Sequence, residues 1–192
     1  VMRVIDTGTI PAGVDLGDFK RSVHMAAEDL EDDGALALVL EAAEATVATA
    51  TGRPLTSRSV EFVLPRGPWS RWWFPVLPVT ALTGLAIGNG SENWQDQALD
   101  GVWLQQGHDE PQLVLSAAWP GHGVRGELLR VQATVGGADG PTHARLRQAI
   151  FLLAKEWFEA GIAIEEDAPP RLSFGVRLLI KQARYLRTAE VG

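Results

Sequence analysis

Gly121-His122-Gly123-Val124-Arg125-Gly126 fits the dinucleotide pattern G-x-G-x-x-G letter for letter. The chemistry behind that pattern is a pyrophosphate held at a helix N-terminus, so the glycines must lie between a strand and a helix. Here they follow Trp119-Pro120 and run into the strand-like Leu128-Leu129-Arg130-Val131. The segment reads as a turn. His24, His108, His122 and His143 are far apart and form no H-x-H or H-x-x-x-H ligand pair. His108-Asp109-Glu110, just before Pro111, reads as a polar loop. The carboxylates Glu28, Asp29, Glu31, Asp32 and Asp33 could hold a hard cation, but the glycine-bearing loop of an EF-hand is missing. Negative charge where a helix begins accounts for them more simply. No serine stands in G-x-S-x-G, and Asn89-Gly90-Ser91 would matter as a glycosylation sequon only on a secreted chain. The expectation is a protein that is not an enzyme, with no catalytic, metal-ligating or cofactor-binding residue and no cofactor.

Two other groups of residues offer recognition instead of catalysis. Trp69-Ser70-Arg71-Trp72-Trp73-Phe74-Pro75 places four aromatics in seven residues, too many for a free solvated tip. They could plug the base of a β-lobe, bury against a neighbouring protein, or stack on bases or sugars. Stacking on single-stranded nucleic acid wants a basic groove, and only Arg66 and Arg71 are near. A protein interface is the better functional reading, because Trp, Tyr and Arg dominate binding hot spots. The second group is a basic stripe, Arg177, Lys181, Arg184 and Arg187, with Tyr185 beside it. It suits an acidic partner; it also suits a solvated face with charge matched to a helix C-terminus. The candidate partner-binding residues are therefore Trp69, Arg71, Trp72, Trp73, Arg177, Lys181, Arg184, Tyr185 and Arg187.

Helices and short strands must position these groups. Residues 15–25 read as a short helix capped by Asp15, with Leu16, Phe19 and Val23 on one face. A longer helix begins at Asp32 or Asp33, and Leu36, Val39, Leu40, Ala43, Val47 and Ala50 form its buried stripe. Gly52 stops it and Pro54 prevents its return. Arg58 to Leu64 alternates as a half-buried strand does. Pro65, Gly67, Pro68, Pro75 and Pro78 then predict a loop through the tryptophans. Further strands are predicted at Val79 to Ile87, Val102 to Leu104, Leu113 to Leu115 and Leu128 to Val135, with a turn at Gly88-Asn89-Gly90. Helical spacing returns from Ala144 to Ala160 behind a Thr142 cap, with Leu146, Ile150, Leu153 and Trp157 on one face and Phe151 and Phe158 off it. A last helix, about Ser173 to Arg187, turns Val176, Leu179, Ile180, Ala183 and Leu186 inward and the basic stripe outward. The class is α+β: a small helical core of about four helices, residues 14–54 and 141–187, with an inserted antiparallel β-lobe over 55–140, in one domain spanning 1–192.

At 192 residues such a chain buries roughly 70% of its unfolded surface and needs no staple. It has no cysteine, which excludes a disulfide framework, thiolate catalysis and Cys-ligated zinc. No run comes near the ~20 apolar residues of a membrane span, and no export signal is visible, so a soluble protein without membrane association is expected. The net charge of −7 argues against binding by phosphate neutralisation. It is unevenly spread: residues 1–50 hold ten acids against three bases, whereas 171–192 hold five bases against one acid. An acidic front and a basic tail suit head-to-tail association.

Several stretches, in order from Val14 to Leu186, resemble the head–tail connector (adaptor) family of long-tailed phages and gene transfer agents. Val14-Asp15-Leu16-Gly17-Asp18-Phe19-Lys20 resembles the family's first helix, and Ala50-Thr51-Gly52-Arg53-Pro54-Leu55 its exit from the long helix. Leu77-Pro78-Val79-Thr80-Ala81-Leu82 is similar to its strand entry, and Ala118-Trp119-Pro120 to its small-residue–Trp–Pro turn. Leu146 to Ala154, with Trp157 and Phe158, is similar to its aromatic-ended helix. The Trp69–Phe74 stretch and the segment 159–170 depart from the pattern. The resemblance implies a structural ring of twelve self-associating subunits at the head–tail junction of a virion or phage-like particle assembled in the bacterial cytoplasm. It would sit on the portal protein, receive a tail-completion or stopper protein, and let double-stranded DNA pass through its lumen without specific binding. Other readings are a different virion assembly or tail-completion protein, or a nucleic-acid-modifying enzyme.

Overall fold

Asp15 caps α1 (Leu16–Ser22) by accepting a hydrogen bond from the Asp18 amide at 2.9 Å. In the computed structural model, which describes residues 2–5, 12–26, 28, 30–90, 93–107, 110–119, 127–137, 140–160 and 173–185, the chain divides into two compact units. The helical unit draws on Pro11–Thr56 and Ala138–Leu186, the β unit on Val1–Ile10 and Ser57–Gly137. Gly121–Gly126, His108-Asp109, Ser91 of the sequon, the segment 161–170, Leu186 and Arg187 lie outside the described residues.

α2 (Asp33–Thr51) buries Leu36, Leu40, Ala43, Glu44, Val47 and Thr51, the three- and four-residue steps of one stripe. Gly52 ends it in the left-handed region at φ 68°, its N–H reaching Ala48 O at 2.9 Å. Asp32 occupies the N-cap position without a side-chain capping bond. Asp33 instead pairs with the buried Lys20 at 2.6 Å, tying α2 to α1. Among the described helices α2 alone is long and apolar enough to cross a membrane, which corrects the expectation that no run comes near that length. Its buried Glu44, accepting from the Gly13 amide at 2.9 Å, and its packed stripe are those of a core helix. α3 (Gly140–Ala160) starts at Gly140 and not behind Thr142, because a proline is well placed in a first turn whose amides are unpaired anyway. It buries Leu146, Ala149, Ile150, Phe151, Leu153 and Ala154, while Phe151 meets Phe19 of α1 at 5.5 Å. The helix is apolar on two sides because other helices pack on it. α4 (Phe174–Ala183) is capped by the Ser173 hydroxyl and sends Val176 and Ala183 into the same core.

The β unit holds two antiparallel sheets. One has the order β1 (Met2–Val4), β2 (Arg58–Pro65), β8 (Leu128–Val135), β4 (Val79–Gly88), β5 (Trp94–Asp96). The other has the order β3 (Arg71–Trp73), β7 (Glu110–Leu115), β6 (Val102–Gly107). In the central β8, Leu129, Val131, Ala133 and Val135 are buried and the residues between them are not, a period of two. With Val60, Phe62, Leu113 and Leu115 they form one core fed by both sheets. Four helices and two antiparallel sheets among the described residues make the protein α+β, as the sequence predicts. Two differences matter. β1 precedes the helices in the chain yet pairs with β2, so the β unit is more than an insertion. The tryptophan segment contains an edge strand, β3, and is not all loop: its prolines, Pro68 and Pro75, flank the strand and remove no ladder donor from it.

Candidate functional site

The tryptophan segment divides by strand alternation. Trp72 points into the core of the β unit, where its ring lies 5.4 Å from Phe62 and 4.9 Å from the buried Phe74. Trp69 packs against the same core and its indole N–H donates to Pro65 O at 3.2 Å. Arg71 and Trp73 belong to the opposite face of β3. Arg71 is exposed, and one of its terminal nitrogens donates to the side-chain oxygens of Gln105 and Gln112, each at 3.3 Å. The four residues therefore do not form one patch. Two help build the core, and two lie on the outer face of the three-stranded sheet.

Cross-strand register enlarges that outer face. Arg71, Val114 and Trp103 form one row, and Trp73, Gln112 and Gln105 the next. Trp103 is 48% exposed. Neither Trp103 nor the two glutamines belongs to the candidate set read from the sequence. Alternation about the buried Val102 and half-buried Leu104 is the signal that points Trp103 outward.

On α4 the basic side chains Arg177 and Lys181 are exposed, and Arg184, the residue after the helix, is exposed too. Phe174 and Leu178 stand among them at 75% and 42% exposure; their spacing of four, off the inward face, is a signal the basic stripe obscures. Tyr185 lies beyond the helix, and its amide donates to Thr51 O at 2.7 Å. Arg53 Nε donates to Ala183 O at 2.8 Å. Both bonds fasten the exit of α4 to the end of α2.

Nothing described assembles a reaction centre. No group of three His, Asp or Glu side chains able to hold a metal occurs among the described residues. A cavity of about 230 Å³ is lined by Leu77, Pro78, Val79, Gln106, Gly107, Glu110 and Pro111, and Gln106 in its wall is bonded to Val79 O at 2.8 Å. A second, of about 400 Å³, lies beside α1 with Asp15, Asp18, His143 and Arg147 in its wall. There the Arg147 guanidinium is committed to Asp18 and to the Phe151 ring, 5.1 Å away.

Compared with solved structures, the chain aligns over nearly its whole length with protein from gene transfer agent particles. It matches a chain in the neck of an empty particle computed with C6 symmetry at TM-score 0.76 and 23% identity, covering 99% of this chain and 98% of that one. A chain in the virion of a native gene transfer agent particle matches at TM-score 0.73 and 25% identity, over 98% and 97%. One in the neck of a native particle computed with C12 symmetry matches at TM-score 0.70 and 24% identity, over 99% and 98%. The chain has the fold of these gene transfer agent proteins. No protein-family model and no curated protein matches the sequence. The alignment spans both the helical and the β unit, so both belong to the shared fold.

Proposed function

We propose that the protein is a structural subunit of the neck of a phage-like particle or gene transfer agent, located at the head–tail junction and without a catalytic step of its own. The observation that carries this reading is the likeness to the neck and virion chains over 97–99% of both partners. In the finer reading, twelve copies form a ring seated on the portal protein at the capsid vertex. The other side of the ring receives a tail-completion or stopper protein, and double-stranded DNA passes through the lumen without specific binding. Neck structures computed with C6 and C12 symmetry support a ring. A net charge of −7 suits a channel in which DNA slides and is not gripped. The helical part, about 14–54 and 141–187, and the β-rich part, about 55–140, then act as a single connector domain.

Two surfaces are proposed as partner contacts. The exposed Arg177, Lys181 and Arg184, with Tyr185, suit an acidic surface of the portal, and Arg187, outside the described residues, belongs to the same proposed set. Trp69, Arg71, Trp72 and Trp73 supply the second, with Arg71 and Trp73 at the contact and Trp69 and Trp72 holding the sheet beneath. Electron microscopy of particles made without this gene tests the function. Filled heads and separate tails that fail to join are the expected result; normally tailed particles would overturn it.

A further inference from the structure

The outer face of the three-stranded sheet carries chemistry that the core does not use. Trp72, Leu104 and Leu113 turn inward, so Arg71, Trp73, Trp103, Gln105 and Gln112 lie on the other side, Arg71 and Trp103 exposed and the other three half-buried around the buried Val114. Arg71 is laid diagonally across the sheet by its two glutamine bonds. No carboxylate among the described residues pairs with it. A guanidinium on the same sheet face as an exposed indole has the composition of an interface hot spot. Its planar fork takes a carboxylate in two parallel bonds.

The complement lies in the same chain. Glu28, Leu30, Glu31 and Asp32, ahead of α2, are exposed, and Leu30 is 69% exposed. Acids on either side of a bare leucine can set a carboxylate on Arg71 and an apolar side chain on Trp103. We infer that the outer face of the three-stranded sheet receives the acidic stretch carrying Glu28, Leu30 and Asp32 from the next copy of the chain. The contact joins two different surfaces, and such a heterologous contact closes into a ring when it repeats about an axis. The inference rests on the ring reading and names its lateral contact.

The test uses two charge reversals in the full chain, Arg71→Glu and the pair Glu28→Arg/Asp32→Arg, each first checked for an unchanged circular dichroism spectrum. Sedimentation is measured at concentrations where the wild type assembles. Each variant alone is expected to associate at least about tenfold more weakly. An equimolar mixture is expected to assemble again. In an alternating ring every junction pairs either two reversed faces or two native ones. Variants that assemble like wild type, or a mixture that stays dissociated, would overturn the contact while leaving the ring intact. A wild type that never assembles would count against the ring itself. The chain has no cysteine, so Trp103→Cys/Leu30→Cys provides a second measurement that survives a folding defect in either reversal. Oxidation of the assembled protein is expected to give covalent multimers, and only monomer would contradict the contact.

Discussion

Phe62→Ala is expected to destabilise the β unit by about 3–5 kcal/mol, the usual cost of truncating a buried aromatic. Phe62 is 2% exposed. Its ring lies edge-on to two others, Trp72 at 5.4 Å and Phe74 at 5.3 Å. Phe62 belongs to β2 of the five-stranded sheet and Trp72 to β3 of the three-stranded one, so the cluster joins the two sheets. Truncation removes the ring's transfer energy, leaves a cavity that the ladders on both sides keep from collapsing, and loses edge-to-face contacts worth about 0.5–1.5 kcal/mol per pair. A lowered urea midpoint reads the effect. Trp103→Ala, on the outer face, is the control and is expected to shift stability by no more than about 0.5 kcal/mol. Equal losses from the two changes would mean that the inner and outer faces are misassigned.

Reversing the basic face of α4, as Arg177→Glu/Lys181→Glu/Arg184→Glu, is expected to abolish attachment to the portal and leave the fold intact. The three side chains are exposed, whereas Val176 and Ala183 on the opposite side carry the packing. Three reversed charges turn attraction into repulsion, and binding about a hundredfold weaker or worse is expected. The wild-type complex should itself weaken as salt rises, since exposed charges are screened beyond about 10 Å at 0.1 M. Removing residues 171–192 outright is a poorer experiment, because Val176 and Ala183 leave the core with it. A triple reversal that co-sediments with the portal as well as wild type does would remove α4 from the docking surface.

The parts of the fold legible in the sequence are those whose cause is local. Asp15 and Gly52 mark helix ends because a cap and a left-handed residue act on their own turns. β8 is legible because four buried residues alternate without a break. β1, β3 and β5 are three residues each, too short to show a period. They exist through ladders to distant partners, such as Arg71 with Val114. Lys20 shows the same limit: nothing on its own turn marks it as buried, yet it is buried against Asp33. At the candidate site the sequence marks the tryptophan segment as unusual, but only register separates Arg71 and Trp73 from Trp69 and Trp72. The gathering of Trp103, Gln105 and Gln112 around Arg71 spans about forty residues of sequence, and no local pattern encodes it.

The native mass of the full chain, alone and mixed with the portal protein from the same gene cluster, tests the connector role most directly. Copies that gather into a twelvefold ring bound to the portal, the symmetry under which one related neck was computed, are the expected result. A protein that stays monomeric and leaves the portal's mass unchanged would contradict it.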